Sequence, residues 1–169
     1  MSVEKQKKCV FAGTFDPPTL GHKALIEECL KIFDEVVVAI MVNPAKIPYF
    51  TLAERQEMLR LTLGNEPRVR FVVTEGTVVE LLKSENTKFY ARGIRNSIDF
   101  DYENANFYAS KKLDPDIVAV YLPCPQELLH ISSSMVRNSL KFETPIDEYV
   151  TSSVKAYVEA RERERGEIC

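Results

Sequence analysis

Five short apolar runs alternate with segments of helical periodicity, and that alternation constrains the fold of this chain more than any other feature. The runs are CVFA (9–12), EVVVAIMV (35–42), VRFVVT (69–74), KFYAR (88–92) and DIVAVYL (116–122). The second and fifth are almost continuously apolar, as strands are when helices cover both faces of a parallel sheet. Between the runs, Leu25, Ile26, Cys29, Leu30 and Phe33 fall on one helical stripe. Thr51 with Glu54 three residues later is a capping box opening TLAERQEMLRLTL. Further helices are expected over TVVELLKSE, DYENANFYASKKL and SSSMVRNSLKF. A last one is expected from Pro145 onward, where proline suits a first turn and Glu159 and Arg163 stand at i,i+4. The order predicts an α/β fold: a doubly wound, five-stranded parallel sheet with helices on both faces.

At 169 residues the chain is expected to form one domain, residues 1–169, with a polar tail over 1–7 and a C-terminal helix over 145–169. Hydrophobic residues make up 45% and charged residues 28%, which suits a soluble globular protein. The net charge of −3 argues against nucleic acid and against anionic membranes as partners, since both need a dominant basic face. No apolar run approaches the length of a membrane span, and MSVEKQKK lacks the apolar core of a signal peptide. Cys9, Cys29, Cys124 and Cys169 form no C-x-x-C pair and are expected to stay reduced, which points to the cytoplasm. With two histidines and no clustered spacing, a protein-held metal site is not expected.

Doubly wound sheets bind ligands beyond the carboxyl ends of their strands. Three such segments here, GTFDPPTLGH, RGIRNSIDFDYE and PCPQELLHISSS, hold most of the unusual polar residues. In the first, Gly13 permits a sharp turn, Asp16-Pro17-Pro18 stiffens it, and Gly21 and His22 lie where a helix begins. Unpaired N–H groups at a helix start attract anions, and a histidine there can donate to a phosphate. The plainer alternative is that Asp16 and Thr19 cap the helix and His22 faces solvent. Neither G-x-x-x-x-G-K-[ST] nor G-x-G-x-x-G is present, so the common phosphate loops are absent.

Taken together, the motifs resemble one family. GTFDPPTLGH resembles the T-x-G-H nucleotidyltransferase signature, with Thr19-Leu20-Gly21-His22 as its core. ISSSMVR (131–137) resembles the second signature of that superfamily. NPAK (43–46) and RGIRNSIDFDYE (92–103) resemble those of bacterial phosphopantetheine adenylyltransferases, and the likeness runs in register from about Cys9 to Leu140. The resemblance implies transfer of AMP from ATP to 4′-phosphopantetheine, giving dephospho-coenzyme A and pyrophosphate, with Mg²⁺ carried on ATP. It also implies a homo-oligomer, a hexamer in this family, and coenzyme A as a feedback ligand. The chemistry suits the residues, because a phosphate monoester is already ionised near neutral pH and needs no general base. What it needs is two anions held in line and charge stabilised at the α-phosphate.

By the same resemblance, Thr14 contacts the attacking phosphate, and Lys46 and Arg92 lie beside both phosphates. His22 donates to the α-phosphate, and Val78 contacts the pantetheine arm. Phe15, Gly93, Ile94 and Glu103 contact ATP, with Glu103 also on the acceptor side. Ser132, Ser133 and Ser134 hold the outer phosphates with Arg95 nearby, and Leu128, Leu129, His130 and Ile131 lie on the adenine side. His22, Lys46 and Arg92 form the implied catalytic set. Where the family usually has aromatic-Ser-aromatic, this chain has Leu128, Leu129 and His130. Two rivals stand beside this reading. A relative using nicotinate mononucleotide would usually carry a second histidine, where this chain has Thr19. A non-catalytic nucleotide sensor on the same fold should have lost His22 or Lys46, and both are present.

Overall fold

The structure, a computed structural model, describes residues 6–167. The strands are β1 (Lys8–Gly13), β2 (Glu35–Met41), β3 (Val69–Thr74), β4 (Phe89–Ile94) and β5 (Val118–Pro123). The helices are α1 (Leu20–Cys29), α2 (Leu52–Leu63), α3 (Val78–Ser84), α4 (Ser97–Leu113), α5 (Ser133–Lys141) and α6 (Ser152–Glu167). All strand pairings are parallel, in the order β3-β2-β1-β4-β5. The order reverses between β1 and β4, and a crevice opens there at their carboxyl ends.

Alternation along β1 and β2 decides which residues meet which helices. Cys9 and Phe11 of β1, with Val36, Val38 and Ile40 of β2, pack on Leu25, Ile26 and Cys29 of α1 and Leu59 of α2. Val10, Ala12, Val37 and Ala39 point the other way, onto Val79, Leu81 and Leu82 of α3. The expected doubly wound sheet is therefore present, with helices on both faces. A third cluster, built on Phe50, Met58, Val136, Val154 and Val158, ties α2, α5 and α6 together beside the sheet.

Several boundaries differ from expectation, each for a local reason. The first helix begins at Leu20, because Thr19 is its N-cap. Helix α4 begins a turn earlier than expected, at Ser97, where the Asn96 side chain accepts from the Asp99 amide. Strand β4 runs on through Ile94, so Arg92 and Gly93 lie within the strand rather than after it. The last helix begins at Ser152, not Pro145, because the intervening chain drops Ile146 and Val150 into the third cluster. On α6 the Glu159 carboxylate lies 3.7 Å from Lys155, while Arg163 donates to the Glu159 carbonyl instead of its carboxylate.

Cys9, Cys29 and Cys124 are free and buried; Cys169 and most of the N-terminal tail lie outside the described residues. Though distant in sequence, Cys9 and Cys29 meet across β1 and α1. Their hydrogen bond and burial raise the Cys9 thiol far above its ordinary pKa. No helix among the described residues is long and apolar enough to cross a membrane.

Candidate active site

Two cavities open at the carboxyl end of the sheet, and Thr14 lines both. The first, about 280 Å³, is walled by the turn after β1, the start of α1, Arg92 and Gly93 of β4, Glu103 of α4 and the start of α5. The second, about 750 Å³, lies between the loop after β2, the opening turn of α2 and the far half of α5.

The turn after β1 is held by contacts from distant segments. The Asp16 carboxylate is buried and accepts the amides of Tyr49 at 2.8 Å and Phe50 at 2.9 Å. It therefore anchors the loop before α2 and does not cap α1. Arg137 donates to the Asp16 carbonyl at 2.6 Å, and Ser133 Oγ donates to the Pro17 carbonyl at 2.7 Å. Phe15 sits at φ 48°, an uncommon backbone state for a bulky residue. Its ring is buried in the core and packs edge-on against the His22 ring, with centroids 4.9 Å apart.

His22 is the third residue of α1 and completes a capping box with Thr19. The Thr19 amide donates to His22 Nδ1 at 3.0 Å, the place a glutamate side chain takes in an ordinary capping box. Nδ1 is thus an acceptor, and the ring proton resides on Nε2. Burial lowers the His22 pKa to about 4, with the positive charges of Arg92 and Arg95 adding to the effect. The ring is accordingly neutral at physiological pH, and it lines the first cavity as a hydrogen-bond donor.

Arg92 reaches into the same cavity from β4. It donates to the Ala12 carbonyl and pairs with Glu103, itself buried, while its Nε is buried without a partner. Arg95 is held by Asp99 through Nε at 2.8 Å, one helical turn on. A Cβ at Gly93 would come within 2.1 Å of Leu25 Cδ1, so Leu25 must move before any side chain fits there. The three serines differ in their engagements. Ser132 caps α5 by accepting from the Met135 amide, Ser133 ties down Pro17, and Ser134 Oγ accepts from Arg137 at 3.0 Å. What α5 offers an anion is chiefly its unpaired first-turn amides, with Ser132 and Ser133 on the cavity wall.

The first cavity thus gathers Thr14, His22, Arg92, Gly93, Arg95, Glu103, Ile131, Ser132 and Ser133. Lys46 stands apart, lining the second cavity on the far side of Thr14 with Asn43 and Arg137. Neither cavity is lined by Phe15, Ile94, Ser134, Leu128, Leu129, His130 or Val78. Leu129 and His130 are exposed, and Val78 packs toward the α3 core cluster. Sequence reasoning missed Asp99 and Cys124, which line the first cavity, and Arg55, Asn138 and Lys141, which line the second. Only Asp99 carried a local signal, its i,i+4 spacing from Arg95. Among the described residues no group of three His, Cys, Asp or Glu side chains could hold a metal ion.

The chain is similar to known proteins in sequence and in fold. The family model for cytidylyltransferase-like proteins matches residues 10–139. A phosphopantetheine adenylyltransferase of Flavobacterium johnsoniae is 37% identical over 149 residues, covering 88% of this chain and 97% of that protein. One of Thermotoga neapolitana is 39% identical over 145 residues, covering 86% of this chain and 90% of that protein. Among solved structures, one from Vibrio parahaemolyticus, provisionally assigned as a nicotinate-nucleotide adenylyltransferase, superposes with a TM-score of 0.69. It covers 90% of this chain and 98% of its own at 22% identity, a likeness of fold.

Proposed function

Because this chain belongs to the cytidylyltransferase-like family, and within it to the phosphopantetheine adenylyltransferases, we propose that it transfers AMP from ATP to 4′-phosphopantetheine. The products are dephospho-coenzyme A and pyrophosphate, a step of coenzyme A biosynthesis. One observation carries the mechanism: a neutral His22 with its proton on Nε2, aimed into a cavity that also holds Arg92, Arg95 and the open amide end of α5. ATP lies in that cavity with its outer phosphates on the α5 amides and its α-phosphate at His22. The acceptor enters from the second cavity, past Lys46, and its phosphate meets Thr14 where the two cavities join.

An acceptor phosphate oxygen attacks the α-phosphorus as the bond to the β-phosphate oxygen breaks, and pyrophosphate departs. Being ionised already, the nucleophile needs no base. His22 Nε2–H steadies charge on the α-phosphoryl oxygens, and Arg92 and Lys46 hold the two anions in line. Magnesium enters as part of the substrate MgATP. The test is an acceptor panel with MgATP: 4′-phosphopantetheine should be adenylylated and pantetheine left untouched, for want of the nucleophile. Turnover of nicotinate mononucleotide alone would overturn the assignment, and binding of ATP without any turnover would favour a sensor.

Two further properties belong to this reading. The enzyme works in the cytoplasm, as its buried free thiols favour. It also self-associates: helix α4 buries only Glu103 while Ile98, Phe100, Tyr102, Tyr108 and Leu113 stand exposed along it. A hexamer that can take coenzyme A as a feedback ligand is the form the family favours. Light scattering of the wild type against an Ile98→Asp, Tyr102→Asp double variant tests the assembly.

A further inference from the structure

Arg55 stands outside every motif of this chain, and its placement is unfavourable on three separate counts. It is buried, with 4% of its surface exposed. It lies in the opening turn of α2, the end of a helix dipole that disfavours a cation. No carboxylate pairs with it among the described residues, and its Nε is buried with no partner at all. The one carboxylate lining the same cavity, Asp16, is occupied by the amides of Tyr49 and Phe50. A buried cation without a counter-charge weakens a fold unless something else uses it.

The single hydrogen bond that the Arg55 side chain makes among the described residues shows where that use lies. Its Nη1 donates to the Thr14 carbonyl at 2.9 Å, across 41 positions of sequence. A neutral donor such as glutamine could make that bond without burying a charge. The structure assigns Arg55 to the acceptor site as a positioning residue: it pins Thr14 through its carbonyl and places a fixed positive charge in the wall of the second cavity, beside the one residue that both cavities share, where the acceptor's phosphate supplies the missing counter-ion. Lys46, Arg137 and Lys141 line the same cavity, and Arg55 is the most buried of these four cations. It is the one whose desolvation makes its charge strongest, because interactions with an anion grow as water is excluded.

This inference rests on the acceptor assignment above, and its test separates the two. Calorimetry is performed on wild type, Arg55→Gln and Arg55→Lys with 4′-phosphopantetheine and with pantetheine, alongside thermal melts. Arg55→Gln should weaken 4′-phosphopantetheine about tenfold or more, as losing one charge-assisted contact does, and leave pantetheine within about twofold. Arg55→Lys should recover part of the loss, since the charge remains and only the fork is gone. The melting temperature of Arg55→Gln should hold or rise. Equal weakening of both ligands, no weakening of either, or a variant that fails to fold would each overturn the proposal, since it holds that the charge serves the phosphate and not the fold. If wild type binds no 4′-phosphopantetheine, the acceptor assignment falls, and Arg55 is then judged on inorganic phosphate. About tenfold weaker phosphate binding in Arg55→Gln supports the role, and equal binding overturns it.

Discussion

The backbone amide of Thr19 donates to Nδ1 of His22 at 3.0 Å, and the Thr19 hydroxyl lies 3.1 Å from the same nitrogen. The capping of α1 and the chemistry of the active site are therefore one arrangement. The amide that secures the helix start also dictates which ring nitrogen keeps the proton. In ¹⁵N spectra, His22 should show a protonated Nε2 and an unprotonated Nδ1, with His22→Ala identifying the signals. A ring protonated on Nδ1 would contradict the geometry.

Acid should act on His22 in a defined direction. Its folded pKa, about 4, lies below the ordinary 6.5, chiefly through burial. As pH falls, the unfolded chain takes up this proton first, so the group's contribution to stability is whole above 6.5 and is lost as pH falls through 4. The melting-temperature difference between wild type and His22→Gln should therefore shift against wild type over that window. A difference independent of pH would show that the ring does not stay neutral in the folded protein.

His22→Ala should lower kcat by roughly two to three orders of magnitude, the range seen when one preorganised donor is removed. The calorimetric Kd for ATP should change far less, because charge on the α-phosphoryl oxygens changes most at the transition state. Loss of ATP affinity in proportion to the lost rate would make His22 a ground-state ligand.

Arg92 and Glu103 form a part-buried ion pair, and removing one partner strands the other. Arg92→Ala should remove about 2–4 kcal/mol of transition-state stabilisation, seen in kcat/KM. Lysine should restore little, because it cannot bond the Ala12 carbonyl and Glu103 through one planar fork. Near-normal kcat/KM for Arg92→Ala would place the reaction elsewhere.

Gly93→Ala tests packing without touching a charge. Its methyl would meet Leu25 Cδ1 at 2.1 Å, so α1 must shift or Leu25 must change rotamer. Overpacking of this kind costs about 1–3 kcal/mol, to be read from denaturant unfolding. By moving α1 and with it His22, Gly93→Ala should also lower kcat/KM, and Leu25→Ala in the same chain should recover part of that loss by letting α1 return to its place. No rescue would mean that Gly93 is needed for ligand approach and not for packing.

The sequence by itself determined whatever is written in local spacing. The apolar runs specified five strands, and the burial of β2 followed from its run, but β5, equally apolar, stands at a sheet edge and stays partly exposed. The capping box of Thr51 and Glu54 specified the start of α2, because partners three residues apart meet in any helix. Gly21 places His22 in an opening turn as well, but histidine is not among the usual box residues, so its bond to Thr19 has no local signature. The family motifs placed Thr14, Arg92, Arg95 and Ser132 at strand and helix ends, where the sheet gathers them around one cavity. Only the tertiary structure decided what depends on segments meeting across the fold. It put Lys46 in a second cavity behind Thr14, bonded Asp16 to the amides of Tyr49 and Phe50, brought the space for a side chain at Gly93 down to nothing against Leu25, and buried Arg55 beside Thr14. None of these has a period or a spacing to read, because the packing of whole elements sets the distance between residues far apart in the chain.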